Sequence, residues 1–230
     1  MKPALLLPLA FLFALPVRAA THAVIPGTAI QAKVDIAAPG DIVAIFGGTY
    51  WQDITVNKPI QFVEVSGQEV NITGSITWTG VVNAPPFEGF KTGSPGKGIT
   101  VTNTTGLVFK NLDSTAGGSI VCGGATTLDV IDSQLGDLAT GGTTRAKVID
   151  SQLRDLATGG TTTVKVIDSQ LGSLSAGGKD VEISRSSISG NMAQSAGVLH
   201  ATSVTVAGGF DSTDAASRSV FFRTTVGDWV

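Results

Sequence analysis

The sequence is short of cysteine, histidine and charged residues, and each shortage excludes a class of protein. A single cysteine, Cys122, among 230 residues excludes an intrachain disulfide framework and a thiolate zinc cluster. Two histidines, His22 and His200, leave little material for a site that needs several imidazoles. The formal net charge of -3 offers no basic footprint, so we expect no nucleic-acid partner.

Glycine, by contrast, is abundant. Charged residues make up 14% of the chain, against roughly 25% in a typical soluble domain. The 29 glycines exceed the usual share of about 7%. Hydrophobic residues at 42% still suffice for a core, so the low charge does not indicate disorder. The composition therefore predicts one β-rich domain.

The first nineteen residues have the pattern of a secretory signal peptide. Lys2 gives a basic start, residues 4–15 form a short apolar run, and Val17 and Ala19 stand where a signal peptidase reads. The run is short and interrupted by proline, which does not suit a membrane span. We predict a signal peptide over 1–19, cut after about Ala19. No second hydrophobic segment follows, so we expect no transmembrane segment after signal removal and a secreted, periplasmic or cell-envelope location.

An internal repeat with a period of 18 residues determines the predicted fold. Three segments align without gaps, share the pattern Val-Ile-Asp-Ser-Gln-Leu, and continue to a Gly-Gly pair. They are residues 128–135, 146–153 and 164–171, with Gly-Gly at 141–142, 159–160 and 177–178. A degenerate copy over 181–188 is shifted by 17 residues, and 107–111 fits the same frame 21 residues upstream.

This unit predicts a β-solenoid. Gly-Gly and Thr-Thr pairs exclude long helices, and the alternation in residues 164–166 is typical of a strand with one face inward. Stacked units share a continuous core, with coils about 4.8 Å apart. Sixth-residue steps from Val130 reach Gly136 and Gly142, which does not suit a left-handed hexapeptide solenoid. The unequal coil lengths favour an all-β, single-stranded right-handed parallel β-helix of about nine coils.

The N-terminal segment predicts a cap over the first coil. Ile30, Val34 and Ala37 fall on one helical face, which indicates a short capping helix within residues 28–38. Such a cap covers the open edge of the first coil. The predicted organisation is a signal peptide over 1–19, an N-terminal cap over 20–41 and the β-helix over 42–230.

Five short motifs in this part resemble the opening of pectate-lyase-like right-handed β-helix proteins. They are Ile30-Gln31, Ala38-Pro39-Gly40-Asp41, Gly48-Thr49-Tyr50, Ile54-Thr55-Val56 and Lys58-Pro59-Ile60. The resemblance covers residues 28–65 by motif and the remainder by repeat style. It implies the fold. Similar openings occur in pectin methylesterases and in periplasmic β-helix proteins of no known catalysis, so the function stays open.

A column of polar residues follows the repeated strands, namely Asn111, Asp132, Asp150 and Asp168, and it ends at Arg185. An Asx side chain at such a turn can bond backbone amides, and the resemblance implies that stacked asparagines are a structural device in β-helices. Three carboxylates about 4.8 Å apart would repel by about 1 kcal/mol per pair in water, which backbone donors, Arg185 or a cation would relieve. We predict a structural turn ladder, with a calcium site as the alternative and no other cofactor.

The sequence carries no recognisable catalytic constellation, so we predict no catalytic residue. The stretch over 40–47 has the hydrophobic and glycine pattern of a pectin methylesterase motif, but it has no aspartate in its middle, where that motif carries its catalytic carboxylate. The adjacent aspartates of polygalacturonases are absent. Asp137, Arg154 and Asp155 supply the residue types that a pectate lyase needs, but they lie in the most duplicated repeats. A polysaccharide lyase or glycoside hydrolase acting on acidic, pectin-like glycans is the alternative function.

Aromatic residues and threonines supply the candidate binding surfaces. Sugars stack on aromatic rings, and the predicted ligand-binding residues are Tyr50, Trp51 and Trp78. A column of threonines would offer a flat ladder to ice or a polysaccharide, and its members are Thr126, Thr144 and Thr162.

These patterns favour an exported, non-enzymatic β-helix protein that binds carbohydrate or another surface, or that serves as a structural module. The expected partner is a polysaccharide or a cell-surface glycan. The Pro/Gly-rich segment over 82–97 is predicted to leave the stack as a loop, beside which a ligand groove could lie.

Overall fold

The protein is a parallel β-solenoid of about eleven turns, seen in a computed structural model that describes residues 18–214 and 217–229. The predicted all-β solenoid is confirmed, but the expected number of about nine coils is too low. One reason is that β1, the first rung, lies within 20–41, which we predicted to be only a cap. The right-handed sense of the coil stays a prediction. The proposed signal peptide lies outside the described residues as far as position 17.

The described elements follow one another along the chain with short connections. They are β1 (Thr21–Val24), α1 (Ile30–Ile36), β2 (Ile42–Tyr50), β3 (Ile54–Val56), β4 (Gln61–Ile72), β5 (Ile76–Thr79), β6 (Phe87–Glu88), β7 (Lys91–Thr92), β8 (Ile99–Thr102), β9 (Leu107–Lys110), β10 (Asp113–Ser114), β11 (Ile120–Gly123), β12 (Thr127–Ile131), β13 (Gln134–Thr140), β14 (Arg145–Ile149), β15 (Gln152–Thr158), β16 (Thr163–Ile167), β17 (Gln170–Ala176), β18 (Asp180–Ser184), β19 (Ser187–Ile188), β20 (Met192–Gln194), β21 (Val198–Thr202), β22 (Thr205–Ser212), β23 (Arg218–Phe222) and β24 (Thr225–Trp229).

The strands form two sheets in which each strand pairs with its counterparts one coil before and after. One sheet has 8 strands, in the order β23-β21-β18-β16-β14-β12-β9-β6. The other has 16 strands and bends along a corner, so that β13, β15 and β17 contribute to both of its halves. All pairings between these strands are parallel. The coil length varies, since Gln170 pairs with Ser187 while Lys91 pairs with Asp113.

The period-2 alternation of the repeat decides which side chains form the core. In β14, Ala146 and Val148 are buried whereas Lys147 lies on the outer face, and β12 and β16 repeat this arrangement in register. The second leucine of each repeat stacks on its equivalents inside the coil, as in the pair Leu138 and Leu156. The buried side chains form one continuous cluster from Val24 to Phe210.

Glycine is required where successive coils approach each other at the Gly-Gly turn. Gly142 has a φ of 65°, and a Cβ there would lie 2.7 Å from the backbone nitrogen of Gly124. Gly160 has the same φ, and a Cβ there would lie 2.9 Å from the carbonyl oxygen of Gly142. Both the left-handed conformation and the stacking distance therefore select glycine at this corner.

The segment over 82–97 belongs to the stack, so our prediction that it leaves the coil is wrong. It contains β6 and β7, and Phe87 and Phe90 are buried with their rings stacked at 4.3 Å. Phe87 also lies edge-on to Phe62 and Phe109 of neighbouring coils. The prolines shorten the strands here, and the aromatic rings fill the core in place of the branched residues of the later repeats.

The capping helix is confirmed. It spans Ile30–Ile36, and Ile30 and Val34 are fully buried against the first coils. Ala37, just beyond the helix, is buried as well. In the part of the chain that the structure describes, no helix has the length and apolar character needed to cross a membrane.

Candidate functional site

The most exposed large hydrophobic side chain among the described residues is Trp51, at 82%. It follows β2 directly, at the corner where the chain turns into β3. Successive side chains of a strand point to opposite faces, and the preceding residue, Tyr50, is buried with 2% exposure, so the Trp51 side chain points outward. The Tyr50 hydroxyl donates to the carbonyl of Phe46 at 2.6 Å, which fixes the end of the strand.

The two residues after Trp51 hold this corner in place. Gln52 accepts a hydrogen bond from the backbone N–H of Gln31 at the start of α1, at 3.3 Å. Asp53 accepts one from the backbone N–H of Ser75 in the next coil, at 2.7 Å. The corner is therefore tied to the cap on one side and to the following coil on the other, so the indole is presented from a fixed backbone.

Two shallow grooves meet at Trp51. The first, of about 270 Å³, lies toward the cap, and its walls are Gly27, Thr28, Ala29, Thr49, Tyr50, Trp51 and Gln52. The second, of about 250 Å³, lies toward the following coils, and its walls are Trp51, Gln52, Asp53, Thr73, Gly74, Ser94 and Lys97. Both are rich in hydroxyl and amide groups, so an extended polar ligand laid across the indole would meet hydrogen-bonding partners on either side.

The charges in the second groove neutralise one another. The Lys97 ammonium donates to both carboxylate oxygens of Asp53, at 3.1 and 3.2 Å. The Ser75 amide, and then Lys97, lower the pKa of Asp53 below its ordinary value. The carboxylate therefore stays ionised and paired at neutral pH, and the groove carries no free charge of either sign at this point.

The other two predicted ligand-binding aromatics lie in the core. Trp78 has 0% exposure, and its ring meets that of Phe62 edge-on at 5.7 Å. Tyr50 is buried too, and desolvation raises the pKa of its phenol. Neither ring can receive a sugar in this arrangement, so Trp51 alone of the three is placed for stacking. The threonine column is likewise internal, because Thr144 is fully buried and its hydroxyl donates to the carbonyl of Gly141 at 2.7 Å.

The predicted polar column occupies a repeated turn with left-handed backbone. The five members are Asn111, Asp132, Asp150, Asp168 and Arg185, with φ between 48° and 51°. Their backbone N–H groups donate to the next coil, as from Asp150 to the carbonyl of Ile167 at 3.2 Å. The side chains do not cap amides as we expected. Asp168 instead accepts two hydrogen bonds of 2.7 Å from the Arg185 guanidinium, which lowers the pKa of the carboxylate.

A calcium site in this column would need several oxygen ligands converging on one point. Among residues 18–214 and 217–229, no group of three or more histidine, cysteine, aspartate or glutamate side chains is close enough to hold a metal ion. Arg185 relieves the charge of Asp168 as the sequence indicated, at the end of the column.

A buried serine ladder beside this column escaped the sequence analysis. Each column residue from Asp132 to Arg185 is followed by a buried serine. The Ser151 hydroxyl accepts from the backbone N–H of Ser133 at 3.1 Å while donating to the carbonyl of Ile149 at 2.7 Å. Ser169 repeats both bonds one coil later. The sequence did contain a signal for this ladder, because all three copies of the repeat have a serine directly after the aspartate.

Asp137, Arg154 and Asp155 do come together on the surface of neighbouring coils. The Arg154 Nε donates to Asp137 at 2.7 Å, and Asp155 lies 3.9 Å from the same nitrogen. This pairing raises the pKa of Arg154 and lowers that of Asp137. An arginine that gives up a proton to act as a base would need the opposite shift of its pKa.

A third groove, of about 400 Å³, lies elsewhere on the surface. It is lined by Gln61, Phe62, Val63, Glu64, Pro86, Glu88, Gly89 and Asn111. Its carboxylates include Glu88, which pairs with Lys110 at 2.9 Å. It presents no exposed aromatic ring, because Phe62 is buried.

Comparison of the chain with known protein families, with curated proteins and with solved structures finds no match in any of the three.

Proposed function

We propose that the protein is an exported, non-enzymatic β-solenoid that binds a polysaccharide through Trp51 and the two grooves beside it. The observation that carries this proposal is an indole with 82% exposure between two grooves that are rich in hydroxyl and amide groups. Exposure of such a ring to water is unfavourable, and a ligand that covers it gains binding energy, since aromatic side chains dominate interface energetics when they are buried. The resemblance to pectate-lyase-like β-helix proteins, which covers residues 28–65, supports a polysaccharide as the ligand class.

The groove chemistry favours an uncharged polysaccharide. Lys97 and Asp53 neutralise each other, so the second groove presents no net charge that would attract a uronate carboxylate. The remaining polar groups of the second groove, among them Gln52, Thr73 and Ser94, suit sugar hydroxyls. A neutral glycan chain crossing Trp51 would therefore stack one ring on the indole and direct its hydroxyls into the two grooves.

The first test is retention of the protein on immobilised neutral and acidic polysaccharides. We expect Trp51→Ala to weaken retention at least about tenfold, which corresponds to about 1.4 kcal/mol. Phe222→Ala is the matched control, because Phe222 is also an exposed aromatic residue, at 58%, but lies in β23 far along the coil. Equal retention of Trp51→Ala and wild-type protein would refute the Trp51 site.

The enzyme alternative is tested separately with acidic glycans. Incubation with polygalacturonate and calcium, followed by the absorbance of unsaturated products, should give no more signal than a blank. Product formation that disappears in Arg154→Lys would show that the Asp137–Arg154 pair performs lyase chemistry and would overturn the non-enzymatic proposal.

A further inference from the structure

Asp41 is a buried carboxylate with three hydrogen-bond donors at the beginning of the solenoid. Asp41 is 6% exposed, although the three residues before it, 38–40, are exposed. Its Oδ1 accepts from the backbone N–H of Ala20 at 2.7 Å. Its Oδ2 accepts from the backbone N–H of Ala38 at 2.8 Å and from Nε2 of His22 at 3.0 Å. These bonds hold the pKa of Asp41 at about 2, so the group is a permanent anion at neutral pH.

Among the described residues, Ala20 is the first whose backbone hydrogen-bonds to the solenoid. Its carbonyl accepts from the backbone N–H of Ile42 at 2.8 Å, and parallel pairing with β2 starts at the next residue, Thr21. Arg18 and Ala19 are exposed, and neither makes a hydrogen bond or ion pair within the described part of the chain. Among the described residues, contacts with the solenoid therefore begin at Ala20, the residue that follows the predicted cut.

We propose that a signal endopeptidase cuts the chain after Ala19 and that the α-ammonium group of Ala20, created by this cut, forms an ion pair with Asp41. The inference rests on the export that we proposed above. The step is a hydrolysis, in which water is consumed, the C–N bond between Ala19 and Ala20 breaks, the carbonyl carbon of Ala19 becomes a carboxylate, and the nitrogen of Ala20 becomes an ammonium group at neutral pH.

The surroundings of Asp41 favour a cation at the Ala20 nitrogen. A buried carboxylate is costly unless it is paired, and a positive charge on the Ala20 nitrogen would add Coulomb attraction to the hydrogen bond that this nitrogen already donates to Oδ1. The titratable groups on the neighbouring elements are His22 on β1, which already bonds Oδ2, and Lys58 after β3, whose ammonium donates to the carbonyls of Asp35 and Ala37. The nitrogen of Ala20 is the partner of Oδ1, and cleavage supplies its charge.

The ion pair predicts a distinct dependence of stability on pH. A carboxylate neighbour raises the pKa of the α-ammonium group above its ordinary 7.7–8.0, so its contribution is complete below that range and is lost as the pH rises through the raised value. The contribution of Asp41 has the opposite sign. It is complete above the ordinary aspartate pKa of 3.8 and is lost as the pH falls through about 2.

The first measurement is the N-terminal sequence and intact mass of the full chain after expression in a bacterial host and recovery from the periplasm or medium. We expect the chain to begin at Ala20. An exported protein that begins at any other residue overturns the inference while leaving the Trp51 proposal untouched, because glycan retention of the same preparation reports on Trp51 independently. Recovery of an uncut chain from the cytoplasm alone would overturn both this inference and the proposed export.

The second measurement compares the melting temperature of the chain that begins at Ala20 with that of a chain carrying Gly-Ser ahead of Ala20. The longer chain keeps His22, Lys58 and Asp41 but has an amide at the Ala20 nitrogen, and its own α-ammonium group lies two residues farther from Asp41. It therefore controls for the titrating side chains and tests the position of the terminal charge. We expect the Ala20 chain to melt a few degrees higher at pH 6 and to lose this advantage by pH 11. The advantage should shrink in the Asp41→Asn background. Equal melting temperatures of the two chains at pH 6 would refute the ion pair.

Discussion

Nine non-glycine residues of the described chain have a positive φ, and seven of them form a single column at the ends of successive strands of the 8-stranded sheet. Beyond the five predicted members, Ser203 and Arg223 continue the column after β21 and β23. Gly89 holds the equivalent position after β6, with a φ of 84°. Side chains as different as aspartate, arginine and serine occupy this turn, so its requirement is the backbone conformation rather than a particular functional group.

At the residue scale, this view predicts the effect of substituting Asp150. Asp150→Gly should leave stability unchanged or slightly raised, because glycine adopts a positive φ without penalty. Asp150→Val should lower the free energy of unfolding by about 1–2 kcal/mol, because a β-branched residue in this conformation is strained. Denaturant unfolding monitored by circular dichroism measures both. If Asp150→Gly were instead the more damaging variant, the carboxylate would have a role that the backbone does not explain.

At the scale of the structural element, the turn is built from two adjacent ladders of different kinds. The outer ladder of column residues is exposed and varies along the coil. The inner ladder consists of serines such as Ser133, Ser151 and Ser169, which are 3% exposed and each bridge two coils. Buried polar groups of this kind need their partners, since an orphaned donor costs more than a hydrogen bond gains.

The serine ladder leads to a prediction for Ser151→Ala. This change removes the acceptor of the Ser133 N–H and should cost about 1–3 kcal/mol of stability. Ser175→Ala is the control, because Ser175 lies on an exposed position of β17 and should change stability by less than about 0.5 kcal/mol. Urea unfolding of both variants makes the comparison, and equal losses would contradict the importance of the buried ladder.

The repeat made most of the coil readable from the sequence, because residues 128–174 have the same spacing in every copy and their alternation shows which side faces inward. The cap was readable for the same reason, from Ile30 and Val34. Outside the repeats, the sequence has no regular alternation that shows which side chains face the core. Tyr50 and Trp51 are adjacent, so one of them must face the core, but only the geometry of the corner shows which one. The burial of Phe87 and Phe90 was not predicted, because the prolines and glycines around them are typical of a loop, whereas the structure shows their rings stacked in the core.

At the scale of the whole molecule, each coil contacts its neighbours only, so the solenoid should tolerate the removal of one complete turn. Deletion of residues 146–163 joins Arg145 to Val164 and leaves the strand register of β12 on β16 equivalent to its present pairing with β14. We expect this variant to keep its β-type circular dichroism and a cooperative melt at a somewhat lower temperature.

The matched control deletes half a turn, residues 146–154. It brings unlike parts of the coil into contact and turns core positions outward, so it should lose the cooperative melt. A chain that unfolds equally after either deletion would contradict the stacking of interchangeable turns.

The proposed function depends on one exposed indole, so the most direct measurement is the accessibility of that indole with ligand present. In a Trp229→Phe chain, the remaining tryptophans are Trp51, at 82% exposure, and Trp78, at 0%. Acrylamide should therefore quench the emission of Trp51 and spare that of Trp78. Addition of a neutral polysaccharide that the protein retains should protect the quenchable part of the emission. Unchanged quenching in the presence of a bound polysaccharide would show that the ligand lies elsewhere and would contradict the Trp51 site.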